Sequence, residues 1–295
     1  MTHILIATDL SSPARQAADR AARLAHTAGA QLQLLHALSA GAAAQLQQLL
    51  GMDIALEATL IEHTRHELKT LADELSAAHH VDVEPTLMQG SVVDEISREA
   101  ERTPADLVVI GARGTDFMRR LVFGSTAERL LRKTRRPMLV VKQRAHEPYQ
   151  RVLVALDFSA WSKPLIELAQ RVAPRAHLVL LSAYDVPYQG RMRLAGATDA
   201  KIDVYRERAR ESAEQQLHAL AASAGLAPAD WTSCLAQADP SLAIVEQEIE
   251  QACDLIVVGK HGRTVMEDLL LGSVTSHVLA ESVGDVLVST STTSV

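Results

Sequence analysis

The sequence predicts an α/β protein made of two tandem, doubly wound domains. The chain has 295 residues, close to twice the usual length of a single domain. It consists of two similar halves, and within each half short aliphatic runs alternate with longer helix-period segments. Because such units join parallel strands through right-handed crossovers, this alternation predicts parallel sheets with helices on both faces.

The two halves are copies of one unit. Three segments of the first half reappear 148 positions later: ILIATDLS from Ile4 as VLVALDFS from Val152, DLVVIG from Asp106 as DLIVVG from Asp254, and Gly124-Ser125 as Gly272-Ser273. The common offset indicates one duplication rather than separate coincidences. The polar stretch Gln143–Gln150 separates the copies, so we expect domains at 1–145 and 149–295, joined by a linker short enough for them to pack together.

Ten aliphatic runs are expected to form the strands. They are nearly continuous in Val, Ile and Leu, which is typical of strands buried on both faces of a parallel sheet. In the first copy they are Ile4–Thr8, Leu32–Ala37, Val81–Met88, Leu107–Gly111 and Met138–Lys142, and in the second copy Val152–Leu156, His177–Ala183, Thr232–Ala236, Leu255–Gly259 and Val286–Ser289.

Helix-period segments fill the gaps between these strands. In the first copy they are Ala14–Thr27, a long segment ending near Ala78, Val92–Glu101 and Thr126–Lys133. Ser91 precedes the third of these segments, which has two acidic residues in its first turn. We therefore expect Ser91 to cap that helix.

Composition and charge exclude several classes of partner. Aromatic residues make up 3% of the chain, too few for base-stacking platforms, and the net charge of −7 argues against binding to nucleic acid or acidic membranes. No apolar run approaches the ~20 residues of a membrane span. The first strand begins at Ile4 without a basic and apolar leader before it, so we expect a cytoplasmic protein.

The cysteines and the clustered histidines favour structural roles. Cys234 and Cys253 fit neither a disulfide framework nor a CxxC motif, and they are expected to be small buried side chains. His63 and His66 lie one helical turn apart, and His79-His80 follow, but no acidic or cysteine cluster accompanies them. We therefore expect exposed helix histidines and no metal site.

A glycine pattern follows the fourth strand of each copy. It reads Gly-x2-Gly-x9-Gly-Ser, from Gly111 to Ser125 and again from Gly259 to Ser273. Glycine can adopt positive φ and lets main-chain N–H groups approach an oxyanion, and the N-terminus of the next helix favours phosphate. The repeated pattern therefore predicts two polyphosphate sites. The alternative is that the glycines only form turns and the serines only cap helices.

An aspartate ends the first strand of each copy, Asp9 in the first and Asp157 in the second. In open parallel sheets, ligands bind beyond the carboxyl ends of strands where the winding direction reverses. A carboxylate there can accept a hydrogen bond from an adenine amino group or a ribose hydroxyl. The alternative is that these aspartates only form turns before Ser11 and Ser159.

These motifs resemble the universal stress protein family, in its ATP-binding branch and in the tandem form with two domains in one chain. The resemblance rests on the glycine pattern and the first-strand aspartate, extends to Leu34–Ala37 and Gly90–Ile96, and covers both copies. It implies Rossmann-like domains, each a five-stranded parallel sheet in the order 3-2-1-4-5, that pair within the chain like a dimer. It also implies ATP, with Mg²⁺ carried by the phosphates, and leaves open a homodimer and an unknown protein partner.

The resemblance implies one nucleotide site in each copy, with the aspartate as the polar partner of adenine and the glycine pattern around ribose and phosphates. The implied nucleotide-binding residues are Ala7, Asp9, Ala37, Gly111, Arg113, Gly114, Gly124, Ser125 and Thr126 in the first copy, and Ala155, Asp157, Ala183, Gly259, His261, Gly262, Gly272, Ser273 and Val274 in the second.

The second copy departs from the first in sequence and in charge. Ala238-Asp239-Pro240 stands where the first copy has Gly90, so the turn there is expected to differ. The acidic segment Glu281–Asp285 stands where the first copy has the basic segment Arg132–Arg136. The basic segment is typical of a solvated helix end, and the alternative is that it forms a phosphate or partner patch. Basic and acidic residues number 17 and 18 before residue 149 and 12 and 18 after it, giving net charges of −1 and −6. The first site is therefore expected to bind ATP at least as tightly as the second.

Three functions fit these observations. The first is an ATP-binding universal stress response protein that acts as a nucleotide-dependent regulatory module with at most slow ATP hydrolysis. The second is an adenine-nucleotide hydrolase or adenylyl-transferring enzyme, which needs a positioned base or a cationic clamp. Between the first two glycines of the pattern, the first copy has Arg113 and the second has Lys260 with His261, and these residues do not match. The third is a nucleotide-free interaction scaffold, which the two complete glycine patterns disfavour. We expect the first function and assign no catalytic residue.

Overall fold

The computed structural model describes residues 1–39, 54–112, 125–184, 189–260 and 271–290. The described residues form two compact units. Unit 1 is Met1–Pro148, Glu267–Leu271 and Asp285–Val295, and unit 2 is Tyr149–Met266 and Gly272–Gly284. The domain boundaries expected from the repeats stay a prediction.

The α/β class is confirmed, because the aliphatic runs form strands and helices connect them. Each strand begins and ends within two residues of the run that predicts it. The strands are β1 (His3–Ala7), β2 (Gln31–Leu38), β3 (Val83–Gln89), β4 (Leu107–Gly111), β5 (Met138–Val141), β6 (Arg151–Ala155), β7 (His177–Ala183), β8 (Trp231–Ala236), β9 (Leu255–Gly259) and β10 (Asp285–Ser289).

Nine helices are found in the described part of the chain. They are α1 (Ser12–Ala28), α2 (Ile54–His79), α3 (Val92–Arg102), α4 (Ser125–Lys133), α5 (Ser162–Val172), α6 (Gln189–Leu194), α7 (Asp199–Ser223), α8 (Pro240–Glu250) and α9 (Ser273–Glu281). None of these described helices is long and apolar enough to cross a membrane.

The sheet of each unit is built around its first strand. In unit 1 the hydrogen-bonded order is β3-β2-β1-β4-β5, with all neighbours parallel. In unit 2 the order is β9-β6-β7-β8, again parallel. Ile4, Leu5 and Ile6 of β1 and Val152–Val154 of β6 are fully buried, as expected of central strands covered on both faces.

The last predicted strand of the second copy, at Val286–Ser289, belongs to unit 1 as its sixth strand, and its pairing there was not predicted. β10, from the end of the second copy, pairs antiparallel with β5, with Leu287 opposite Leu139. Asp285 is fully buried at its start and accepts hydrogen bonds from the main-chain N–H groups of Lys142 (2.8 Å) and Gln143 (3.0 Å). Arg20 lies 3.4 Å from the same carboxylate, so the buried charge of Asp285 is compensated.

A repeated aspartate fixes the start of the central strand in each unit. The side chain of Asp106, before β4, accepts hydrogen bonds from the main-chain N–H groups of Thr2 (2.5 Å) and His3 (3.2 Å). Asp254, before β9, accepts from those of Gln150 (2.8 Å) and Arg151 (3.1 Å). The aspartates that begin the repeated segments DLVVIG and DLIVVG therefore have a structural role, because they hold the start of the central strand.

The turns before α3 and α8 differ, as the sequence predicted. Gly90 has φ 152°, whereas Ala238 is not among the residues with positive φ. Asp239 caps α8 by accepting from the N–H group of Ser241 at 2.9 Å. Ser91 occupies the N-cap position of α3 as predicted, but its side chain makes no capping hydrogen bond. In unit 2 the helix is instead capped by the carboxylate of Asp239, which has two acceptor oxygens.

Candidate functional site

The candidate site of unit 1 lies at the carboxyl edge of its parallel sheet. Ala7, the last residue of β1, stands opposite Leu35 of β2 and Ile110 of β4. Asp9 follows β1, Ala37 is the last residue but one of β2, and Gly111 ends β4, so the fold brings them to the same edge. Ala7 and Asp9 are half-buried, which leaves both partly accessible.

Asp9 forms the turn between β1 and α1. Its carboxylate accepts a hydrogen bond from the N–H group of Ser11 at 3.0 Å, while the hydroxyl of Thr8 accepts from that of Leu10, also at 3.0 Å. Leu10 has φ 63°, a left-handed conformation that is uncommon for a bulky side chain. The alternative of a turn-forming role is thus observed, and the role of Asp9 toward adenine stays a prediction.

Unit 2 repeats this geometry. The carboxylate of Asp157 accepts from the N–H group of Ser159 at 3.0 Å and from the hydroxyl of Ser162 at 3.3 Å. Phe158 has φ 60°, matching the left-handed residue of unit 1. Ala155 pairs with Leu181, and the carboxyl ends of β6, β7 and β9 place Ala183 and Gly259 at the same edge.

The second glycine pattern leads directly into α9. Gly272 occupies the N-cap position with φ −60° and ψ 149°, so it does not use the positive φ that the pattern suggested. Its N–H group donates to the carbonyl of Lys260 at 3.0 Å, and its carbonyl accepts from the N–H group of Ser276 at 2.9 Å. Ser273 is exposed at the first turn of the helix and Val274 is half-buried. The backbone conformation of Gly272 is therefore one that other residue types can adopt.

Arg113, Gly114, Gly124, His261 and Gly262 lie outside the described residues.

The start of α4 gives a partial view of the first glycine pattern. The backbone of Ser125 begins the helix, and Thr126 follows it with an exposed side chain. Both therefore lie in the first turn, where main-chain N–H groups have no acceptor within the helix.

The edge of each site is also held by a residue that was not predicted from the sequence, His36 in unit 1 and Thr275 in unit 2. The Nδ1 atom of His36 lies 2.7 Å from the carbonyl oxygen of Thr8, so this nitrogen donates and holds the end of β2 against the turn after β1. The hydroxyl of Thr275 donates to the carbonyl of Gly259 at 2.7 Å and joins α9 to the end of β9. The repeat gives no signal for Thr275, because its counterpart in the first copy is Ala127.

The cysteines differ from each other in burial. Cys253 is buried as expected, and burial raises the pKa of its thiol to about 12. Cys234 is only half-buried, which corrects the prediction, and its thiol donates to the side-chain oxygen of Gln247 at 3.0 Å. Burial raises the pKa of Cys234 as well, so both thiols stay protonated and poorly nucleophilic near neutral pH.

The clustered histidines are confirmed as exposed with one exception. His63, His66 and His80 are exposed, but His79 is half-buried with its Nε2 atom 2.6 Å from a carboxylate oxygen of Asp19. Across the described ranges, no group of three or more His, Cys, Asp or Glu residues is arranged to hold a metal ion.

One protein family matches the chain twice, over nearly all of its length. The model of the universal stress protein family matches residues 1–142 and again 148–289. A universal stress protein of Mycolicibacterium smegmatis is 29% identical over 254 residues, covering 77% of this chain and 76% of that protein. The repeats seen in the sequence therefore correspond to two successive family units.

Solved structures agree in fold. A universal stress protein from Archaeoglobus fulgidus superposes with a TM-score of 0.70 at 20% identity, covering 97% of both chains. Another solved structure, of a protein from Pseudomonas aeruginosa, gives a TM-score of 0.61 at 18% identity, covering 98% of this chain and 92% of that one. With the family model matched twice, the chain belongs to the universal stress protein family, as two units in tandem.

Proposed function

We propose that this protein is an ATP-binding universal stress response protein, with one adenine-nucleotide site at the carboxyl edge of each unit. One observation supports this most directly. In both units the turn-forming aspartate after the first strand, Asp9 or Asp157, lies at the same sheet edge as the strand-end glycine that opens the glycine pattern, Gly111 or Gly259. This edge is where open parallel sheets bind their ligands.

The residues at this edge suit a nucleotide in two ways. Ala7, Ala37 and their counterparts Ala155 and Ala183 are small, half-buried residues against which a purine can lie. The first turn of α9 presents main-chain N–H groups and the exposed hydroxyl of Ser273, which favour a phosphate. The phosphates would carry Mg²⁺ themselves, since the proposal needs no protein ligand for the metal.

Binding is proposed rather than efficient catalysis. A phosphoryl-transfer enzyme places a cation at the transferring phosphate. The two copies do not share such a group, because Ala112 stands where the second copy has Lys260, and Lys260 is itself only 5% exposed. A regulatory module whose interactions follow nucleotide occupancy needs neither a base nor a clamp. The cytoplasmic location, the pairing of the domains within the chain and a homodimer remain predictions of the sequence.

The first experiment is to identify what the purified protein holds. The native full chain is denatured, and the released small molecules are separated and identified by mass spectrometry. We expect an adenine nucleotide, at up to two per chain. Absence of any nucleotide, together with no heat of binding on titration with Mg-ATP, would overturn the proposal and favour the scaffold alternative.

The second experiment places the sites. The variants Gly114→Glu and Gly262→Glu each introduce a carboxylate into one glycine pattern, and calorimetric titration with Mg-ATP should show each losing one of two binding events. The combined variant should lose both. Ala77→Glu and Ala219→Glu add the same charge at exposed positions of α2 and α7 and serve as matched controls with unchanged binding. A turnover assay on the same set tests the enzymatic alternative, since hydrolysis above the level of the combined variant would show catalysis.

A further inference from the structure

The outer face of α3 in unit 1 is a charged cleft. The open cleft, of 530 Å³, is lined by residues that include Asp94, Ser97, Glu101 and Arg135. Lys133 forms an ion pair with Asp94, whose pKa is lowered chiefly by that contact. Charged groups on this face therefore compensate one another within the unit.

The equivalent face of unit 2 is apolar. Adding the repeat offset of 148 to Asp94, Ser97, Glu101 and Arg135 gives four aliphatic residues, which we call the α8 patch: Leu242, Val245, Ile249 and Val283. Three of them are large apolar side chains left in solvent, with exposed fractions of 52% for Leu242, 65% for Ile249 and 60% for Val283. Val245 is half-buried between them.

The four side chains of the α8 patch lie on one continuous surface. Leu242, Val245 and Ile249 are spaced by three and four residues, so they share one face of α8. Val283 follows α9, which packs against α8, and its N–H group donates to the carboxylate of Glu248 on α8 at 3.2 Å. The counterparts of these positions line one cleft in unit 1, which is the same arrangement.

The rim of the α8 patch is acidic. Glu246, Glu250 and Glu281 are exposed around it, and neither α8 nor α9 contains a lysine or an arginine. His277 is the one basic residue on the two helices. The half of the chain that contains the patch has a net charge of −6. Apolar surface rimmed by charge of one sign is typical of a docking site for a partner of the opposite sign.

We propose that the α8 patch docks an amphipathic helical segment of another protein, with apolar residues on one face and Lys or Arg on its flanks. The apolar face would cover Leu242, Ile249 and Val283, and the basic flanks would meet the glutamates of the rim. Unit 1 offers no such surface at the equivalent position, so the duplication confines this docking to one unit.

A second copy of the chain suits the patch less well than such a partner. In a two-fold symmetric dimer a patch contacts itself, which would bring Glu246, Glu250 and Glu281 against the same acids. Four aliphatic side chains also cover only a small part of the roughly 800 Å² per partner that a stable dimer interface buries. The charge and the size of the patch both favour a short basic segment.

The test uses the full chain and a labelled synthetic peptide of leucine and lysine with leucines at helical spacing. Fluorescence anisotropy should show saturable binding that weakens as salt rises. The variant Leu242→Ser/Ile249→Ser/Val283→Ser should lose roughly tenfold or more in affinity. The variant Glu246→Gln/Glu250→Gln/Glu281→Gln should lose less affinity for the peptide than the triple-serine variant, and its binding should depend much less on salt.

The matched control changes the equivalent positions of unit 1, as Asp94→Ser/Glu101→Ser/Arg135→Ser, and should leave binding unchanged. Circular dichroism melts verify that all variants fold. Equal binding by the wild type and the triple-serine variant of unit 2, or no saturable binding up to about 1 mM peptide, would overturn the proposal. So would a concentration-dependent dimer that the triple-serine variant abolishes, because the patch would then belong to a second copy.

Discussion

The two units are alike in their sheets and unlike on their outer helices. Leu5 and Leu153 are fully buried in the central strands, and Asp106 and Asp254 make the same main-chain hydrogen bonds. By contrast, Asp94 on the face of α3 is replaced by Leu242 on that of α8. Buried positions are restricted by close packing and hydrogen bonding, whereas exposed positions are not. Exposed positions were therefore freer to diverge between the copies than the positions that hold the sheets together.

The largest effects should come from the central strands, and they should be equal in the two units. Leu5→Ala and Leu153→Ala each remove a fully buried side chain and should each cost about 2–5 kcal/mol of unfolding free energy. Urea unfolding can separate the units, because both tryptophans, Trp161 and Trp231, lie in unit 2 and their fluorescence reports that unit, while circular dichroism reports both.

Leu194→Ala is the control for these core variants, since its side chain is 91% exposed and the substitution should change the free energy by less than about 0.5 kcal/mol. A loss below about 1 kcal/mol at Leu5 or Leu153 would show that the two central strands are not packed alike.

The next largest effects concern the repeated aspartates. Asp106→Ala and Asp254→Ala each leave two main-chain N–H groups without their acceptor, and each should cost about 1–3 kcal/mol. Asp82→Ala, at an exposed position, is the control and should be nearly neutral. A large effect at one aspartate and none at the other would contradict the common role assigned to them.

The lowered pKa of Asp106 predicts that part of the folding stability depends on pH. Burial alone would raise its pKa, but the N–H groups of Thr2 and His3 and the hydroxyl of Thr2 lower it below the ordinary value. Because the folded-state pKa is the lower one, the stabilisation is complete above the unfolded-state pKa of about 4 and is lost as pH falls through the folded-state value. The stability difference between wild type and Asp106→Asn should therefore shrink in urea unfolding below about pH 4, and a difference that grows there would contradict this sign.

A smaller loss of unfolding free energy is expected from removing a hydrogen bond that only the site edge of unit 2 contains. Thr275→Val removes a hydroxyl that joins α9 to Gly259 in unit 2 and should cost about 1 kcal/mol, seen in the tryptophan fluorescence transition. Thr198→Val is the matched control, because Thr198 is exposed and its side chain makes no capping hydrogen bond. Equal shifts for both variants would show that the hydrogen bond to Gly259 contributes nothing.

The smallest expected effect is the difference in ATP affinity between the sites. Calorimetry on Gly262→Glu measures the site of unit 1, and on Gly114→Glu that of unit 2. The site of unit 1 should bind equally or up to about fivefold more tightly, because its half of the chain has a net charge of −1 against −6, and added salt should reduce the difference. Tighter binding at the site of unit 2 would contradict this reasoning.

Local sequence was sufficient for much of the fold. Continuous aliphatic runs such as Leu107–Gly111 have few alternatives to a buried parallel strand. Segments with helical periodicity predict helices just as directly. The edge shared by Asp9 and Gly111 also followed from the sequence, because the carboxyl ends of parallel strands meet at one edge. The sequence did not reveal that Ser91 makes no capping hydrogen bond, because the geometry of a cap depends on the turn before it.

The site was predicted less completely than the fold. His36 and Thr275 act through carbonyl oxygens, which are the same for every residue type and leave no trace in the sequence. The sequence marked Asp106 and Asp254 as repeated but did not reveal that they accept main-chain hydrogen bonds some 100 residues away along the chain.

The sequence by itself determined that the chain holds two copies of an α/β unit, since the repeat and the strand periods are local properties of the chain. Only the tertiary structure decided that β10 pairs with β5 in unit 1 and that Leu242, Ile249 and Val283 remain in solvent. Strand pairing and exposure are both set by which distant segments come into contact. An aliphatic residue on a helix has the same sequence pattern whether another element covers it or not.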